Sequence, residues 1–230
     1  TDQVLVYAEK GQAVQDAEVV ILAVKPQRLI QAAKSIKPML PADALVISIV
    51  AGVSTATLME QLGTPYVVRA MPNTSSQIGM GMTVWMKTAQ VDEHKKNLAT
   101  QVIQTLGDEV YVEDETYLDM ATALSGTGPA YVFLFMEAMI DAGVHMGFPR
   151  RIAEQLVVQT LRGSTEFYAV NHAHPVRLRN DVTSPGGTSA EALYYLEKAG
   201  FRTPISRAIW AAYQRSKELG EGRLKGKLEE

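Results

Sequence analysis

A chain of 230 residues with 47% hydrophobic and 20% charged residues has ordinary globular usage, enough for one large domain or two small ones. A formal net charge of −3, with no basic cluster beyond Arg150-Arg151 or Lys95-Lys96, argues against a nucleic-acid or anionic-membrane surface. With no cysteine, disulfides and thiolate chemistry are excluded, and His172 with His174 lacks the context of a metal pair on a helix, so no metal is expected.

In chain order, residues 19–24 form a near-continuous apolar run, the pattern of a strand covered on both faces. Pro26 then opens a helix with Leu29, Ile30, Ala33 and Ile36 at helical spacing. Residues 44–50 read as the next buried strand. Ser54 caps a helix over 55–62 that ends at Gly63. Residues 66–70, 83–86 and 110–112 supply further strands, with a helix over 92–106 before the last. Alternating strands and helices imply a mainly parallel sheet.

Beyond residue 113 the strand signal stops. A helix over 116–124 is followed by one opening at Pro129 that is apolar on nearly every face through residue 140, so it must be buried by other helices or by a partner chain. Its longest apolar run, 129–136, is too short to span a bilayer. Pro149 opens a helix with Ile152, Leu156, Val157, Thr160 and Leu161 on one stripe, and a short helix reaches Val182 after His174-Pro175. A last helix covers 204–219, and the charged tail after Gly220 reads as frayed. The expected architecture is α/β, a Rossmann-like doubly wound sheet over 1–113 followed by an all-α domain over 114–230.

No G-x-G-x-x-G loop precedes Val19, where a doubly wound dinucleotide fold carries it. Gly79-Met80-Gly81 lies in a strand-like run with no helix pattern after it, so it reads as close packing or a bulge. The sheet is therefore expected to lack its first βαβ unit. No secretory pattern is visible at the start, and a cytoplasmic location is the default expectation.

Between the short helix and the next one lies Asp181-Val182-Thr183-Ser184-Pro185-Gly186-Gly187-Thr188-Ser189. Glycines permit a tight turn, and the helix start behind them presents unpaired N–H groups, a seat for a small anion such as a carboxylate. The plainer alternative is a hydroxyl-rich N-cap.

This loop, with Gly200-Phe201-Arg202 after it, resembles the signature of the pyrroline-5-carboxylate reductase family. The family's other motifs follow in order: Val19-Val20-Ile21-Leu22-Ala23-Val24-Lys25-Pro26, Ile47-Ser48-Ile49-Val50-Ala51-Gly52-Val53, Arg69-Ala70-Met71-Pro72-Asn73-Thr74 and Ala123-Leu124-Ser125-Gly126-Thr127-Gly128-Pro129-Ala130-Tyr131. The resemblance implies reduction of 1-pyrroline-5-carboxylate to L-proline, with NADPH as cofactor and NADH as the alternative. It also implies intertwined dimers, often assembled further, through the helical half. By the same resemblance Val24, Lys25, Pro26, Ala51, Gly52, Asn73 and Asp181 line the cofactor, while Glu115, Ser184, Gly187, Thr188 and Ser189 hold the substrate. Thr188 and Ser189 are then substrate-orienting rather than certain catalytic groups.

Lys10 stands where the family commonly has an asparagine at the adenosine ribose; a lysine there can reach a 2′-phosphate, and the alternative is an ordinary surface lysine. Asp181 replaces a common asparagine and accepts a hydrogen bond that it cannot donate. Ser125, Gly126 and Gly128 read as tight packing of a helix start against the sheet domain. Two other readings compete. A 2-hydroxy-acid dehydrogenase needs a lysine on the helix after Pro129, which has none. A non-catalytic dimerisation or ligand-binding scaffold would keep the helices without turnover.

Overall fold

Parallel strands β1 (Val19–Leu22), β2 (Leu45–Ser48) and β3 (Val67–Met71) lie side by side, followed by β4 (Gly81–Lys87) and β5 (Gly107–Tyr111), in the spatial order β1-β2-β3-β4-β5. The computed structural model describes residues 4–220, so the tail beyond Gly220 lies outside the described residues. The links between parallel strands are helical crossovers: α2 (Leu29–Ile36), α3 (Thr55–Leu62) and α4 (Glu93–Gln104). Between β3 and β4 there is only a 3-10 turn, Thr74–Ile78, too short for a crossover, and that pair is antiparallel. A short helix α1 (Lys10–Val14) precedes β1, which forms the edge of the sheet among the described residues, with Ile21 53% exposed.

Helices cover both faces. Val20, Leu22, Val46 and Val67 pack with Leu29, Ala33, Ile36, Leu58 and Leu62 of α2 and α3. Leu45, Ile47, Val68, Ala70 and Trp85 pack on the opposite side with Ala99 and Ile103 of α4. Burial of each such aliphatic side chain contributes about 1.5–3 kcal/mol before entropy is counted. The apolar stripe of α2 holds Leu29, Ala33 and Ile36 as the sequence predicts, but Ile30 faces out and Ala32 takes its place in the core.

Local signals set the helix ends. In α3 the Ser54 hydroxyl accepts the Thr57 N–H at 3.2 Å, and Gly63 closes the helix in the left-handed region. Gly79 ends the 3-10 turn, whereas Gly81 is pressed between Ser76 and the Leu106 carbonyl, the close packing expected for that pair of glycines.

The helical half departs from its reading. Helix α5 (Thr116–Ala121) does not stop near Leu124 but runs through a π segment, Thr122–Gly126, into α6 (Gly128–His145). There the Thr127 N–H donates to the Thr122 carbonyl at 2.8 Å, five residues back. The added residue lets the helix continue past Pro129, which has no N–H to give. The continuous helix Thr116–His145 is, by length and mean hydropathy (1.2), long and apolar enough to cross a membrane, unlike the 129–136 run taken alone.

The compact units also divide elsewhere than at residue 113. One contains the residues up to Pro129 together with those from Ile209 on; the other is Ala130–Ala208. Leu118 of α5 is fully buried in the first unit, and the far end of α10 (Arg202–Gly220) lies there too. The second unit holds most of α6, then α7 (Arg150–Asn171), α8 (Pro175–Asp181), α9 (Thr188–Lys198) and the start of α10. Its core is thin: Gly143 lies against Ala153, and Val157 is also buried. Val132, Phe133, Leu134, Leu156, Phe167 and Tyr195 are at least half exposed.

Candidate active site

In open α/β sheets ligands bind beyond the carboxyl ends of the strands. Val24 and Lys25 follow β1 and line a pocket of about 360 Å³ with Lys10, Arg28, Gln31 and Ala32. The structure thus brings together Lys10, Val24 and Lys25 from the sequence reading and adds Arg28, which no motif marks. Pro26 opens the 3-10 turn Pro26–Arg28 beside them. Ala51 and Gly52 follow β2. Gly52 lies against Leu219 and Gly220 of α10 and lines a second pocket, about 260 Å³, with Ser54, Arg69, Glu115, Asp119 and Lys217. Asn73 follows β3; its Oδ1 accepts the Met82 N–H at 3.3 Å, which fixes the side chain and leaves its amide N–H₂ to donate.

Arg69, in the middle of the buried strand β3, has a side chain only 6% exposed and pairs with two carboxylates. It donates to Glu115 at 2.8 Å and to Asp119 at 3.3 Å. Glu115 also accepts the Thr55 N–H at 2.8 Å and the Thr55 hydroxyl at 3.1 Å. Asp119 accepts the Ser216 hydroxyl at 2.9 Å. Glu115, read as a substrate contact, therefore has both oxygens committed within the sheet unit, where it satisfies an orphan N–H at the start of α3. Sequence reasoning assigned no role to Arg69, Asp119 or Ser216. The available signal was an arginine inside an otherwise apolar strand, which a fold tolerates only when the charge is paired.

In the helical unit, Ser184-Pro185-Gly186-Gly187 is a type II turn. The Gly187 N–H donates to the Ser184 carbonyl at 3.1 Å, and Gly186 has φ 71°, the region that favours glycine at the third position. A side chain on Gly187 would meet the Ser184 hydroxyl at 2.7 Å. Gly187 is the N-cap of α9 and offers no capping side chain; the first helical bond runs from the Glu191 N–H to the Gly187 carbonyl. The hydroxyl-cap alternative is therefore not what the structure shows. As the first three residues of α9, Thr188, Ser189 and Ala190 have no intrahelical acceptor for their N–H groups, and Thr188 and Ser189 carry hydroxyls. Asp181 is the exposed last residue of α8. Past α9, Glu197 accepts a fork from Arg202 at 3.1 and 2.7 Å, and this pairing holds the Glu197 carboxyl below its ordinary value.

Residues 115–219 match the family model for pyrroline-5-carboxylate reductase dimerisation, and residues 3–52 match that for NADP oxidoreductase, coenzyme F420-dependent. The chain is 37% identical over 216 residues to the pyrroline-5-carboxylate reductase of Pisum sativum, covering 94% of this chain and 79% of that protein. It belongs to the pyrroline-5-carboxylate reductase family. The Synechocystis reductase is 41% identical over 226 residues, 96% of this chain and 82% of that protein. The solved Plasmodium falciparum pyrroline carboxylate reductase with NADP bound superimposes with a TM-score of 0.88 at 34% identity, covering 93% of this chain and 81% of that one. The family's dimerisation segment contains the apolar helix Thr116–His145 and the exposed faces of α6, α7 and α9, so self-association accounts for apolar surface that the chain alone leaves uncovered.

Proposed function

We infer that this chain reduces 1-pyrroline-5-carboxylate to L-proline with NADPH. The observation that carries the reading beyond family membership is the uncapped start of α9 behind the Gly186-Gly187 turn, which offers N–H groups and hydroxyls for the substrate carboxylate. The strand-end rim fits a dinucleotide, because Lys10, Lys25 and Arg28 present cations to one pocket with no carboxylate among its lining. When bound, NADPH supplies a hydride to the ring carbon of the protonated C=N, giving the secondary amine of proline and NADP⁺.

The chain's own residues bind and orient. On the cofactor side these are Lys10, Val24, Lys25, Pro26, Ala51, Gly52 and Asn73. Asn73 is held by Met82 with its amide free to donate. On the substrate side they are Ser184, Gly187, Thr188 and Ser189. Glu115 serves as a brace: its bond to the Thr55 N–H fixes the start of α3, next to the Ala51-Gly52 turn. A cyclic imine takes its proton from water, so the residues around it need only align the reacting carbons, worth several kcal/mol of barrier. We assign the cofactor to the sheet unit and the carboxylate to the helical unit, with a dimer formed through the apolar helix faces, further assembly of dimers, and a cytoplasmic location.

Ser189→Ala removes one hydroxyl from the carboxylate seat but leaves the backbone N–H groups. It is expected to raise the KM for the imine about tenfold, ~1.4 kcal/mol, with kcat changed far less. Steady-state kinetics at saturating NADPH checks this; a loss confined to kcat would instead assign Ser189 to proton transfer.

A further inference from the structure

We propose that Glu197 is a positioning residue for the carboxylate seat: it clamps the end of α8 to the end of α9 and so fixes the loop over 182–187 between them. What the loop holds rests on the reductase reading; the clamp itself lies wholly within the helical unit.

Local signals build the clamp. Helix α9 ends in a Schellman turn: the Phe201 N–H donates to the Leu196 carbonyl at 3.1 Å, the Gly200 N–H donates to the Glu197 carbonyl at 2.9 Å, and Gly200 has φ 72°. That turn sets Arg202, the first residue of α10, beside the Glu197 side chain. Both carboxylate oxygens accept from the guanidinium, Nε donating at 3.1 and 3.2 Å and Nη2 at 2.7 Å. The carboxylate is thus anchored at the end of α9 remote from the Gly186-Gly187 turn. Held there, it meets the Arg179 guanidinium of α8 at 3.7 Å. This is longer than a hydrogen bond, so charge rather than fork geometry carries the contact.

The loop hangs from Arg179. Its carbonyl accepts the Thr183 hydroxyl at 2.6 Å, and the Thr183 N–H donates to the neighbouring Asn180 carbonyl at 2.9 Å. From there the loop runs through the Ser184–Gly187 turn into the first residues of α9, which form the seat. The segment 179–197 is therefore a closed ring, covalent chain on one side and ion pair on the other, with the seat inside it. The side chains of Arg179, Glu197 and Arg202 are 36%, 50% and 65% exposed, so their pairing contributes little to stability. Its consequence is geometric. With α8 released from α9, the start of the loop is no longer held at a fixed distance from the seat, and groups meant to converge on one carboxylate lose their alignment.

Steady-state kinetics and hydrogen–deuterium exchange of the intact chain test the clamp, with Glu197→Gln, Arg179→Gln and Arg179→Lys beside the wild type. Because the pairs are exposed, the unfolding midpoints should stay close to that of the wild type. Glu197→Gln should raise the KM for the imine about fivefold with kcat nearly unchanged, and should speed exchange of the hydrogen-bonded Thr183 and Gly187 amides. Arg179→Gln should act in the same direction, and combining it with Glu197→Gln should give no more than Glu197→Gln alone. Arg179→Lys keeps the charge and should recover most of the wild-type KM and exchange. In a chain that turns over, absence of either effect in Glu197→Gln overturns the proposal while the reductase reading stands. Arg179→Lys behaving no better than Arg179→Gln also overturns it, since packing rather than charge would then be at work. If the wild type shows no turnover, faster loop exchange in Glu197→Gln supports the clamp and rejects the reductase reading, whereas unchanged exchange rejects both.

Discussion

Arg69→Ala is expected to lower the unfolding free energy by about 3 kcal/mol, a large fraction of the ~5–15 kcal/mol typical of a folded domain. The arginine is 6% exposed, while Glu115 and Asp119 are 29% and 21% exposed, so water reaches the carboxylates and holds the loss near the low end for a broken buried pair. Removing Arg69 leaves two carboxylates facing each other without their shared cation. It also frees the Glu115 side chain that accepts the Thr55 N–H, so the start of α3 and the Ala51-Gly52 turn lose their brace. Urea denaturation gives the stability loss, and the KM for NADPH should rise with it. Arg69→Lys supplies one point charge in place of a fork that reaches both acids, and should recover only part of the loss. A loss below about 1 kcal/mol for Arg69→Ala would show that the network is a solvated surface feature.

Gly107→Ala is expected to cost about 3 kcal/mol or more through a different cause. Gly107 opens β5 with φ 129°, backbone that L side chains rarely adopt, directly opposite Gly81 in the β4–β5 ladder. A methyl group there would overlap the Gly81 carbonyl oxygen. Relief requires the two strands to separate, and Gly81 is itself fixed against Ser76 and Leu106. The expected result is a sharply lower unfolding midpoint or loss of soluble protein. A variant with the wild-type midpoint would mean that β5 is not held against β4 at this register.

How much of this was legible in the sequence follows the range of the interactions. The α3 helix was readable to the residue because its limits are set by neighbours, Ser54 at the start and Gly63 at the end. The inner strands β2 and β3 were readable because a sheet covered on both faces makes near-continuous apolar runs, whereas β5, read as 110–112, begins at Gly107-Asp108-Glu109, which gives no apolar signal. The turn at Ser184-Pro185-Gly186-Gly187 was readable from its residues, although the absence of a hydroxyl cap was not. The pairing of Glu115 was not readable, because its partners Thr55 and Arg69 lie 60 and 46 residues away and no local pattern announces it. Arg28 escaped notice because an exposed arginine in a Pro-opened turn looks like any solvated side chain until the fold sets it in one pocket with Lys10. The compact sheet unit runs past residue 113 because Leu118 and Ser216 pack with it by contacts that periodicity does not encode, while the match to the dimerisation family begins at residue 115. The apolar faces of α6 and α7 were legible as surfaces needing cover, and the dimerisation family supplies what covers them.

The most direct test mixes the chain with 1-pyrroline-5-carboxylate and NADPH and follows the absorbance of the reduced nicotinamide. Oxidation that requires both reactants and yields proline in equal amount is the predicted result. A folded, self-associated chain that binds NADPH saturably yet never oxidises it in the presence of the imine would contradict the assignment.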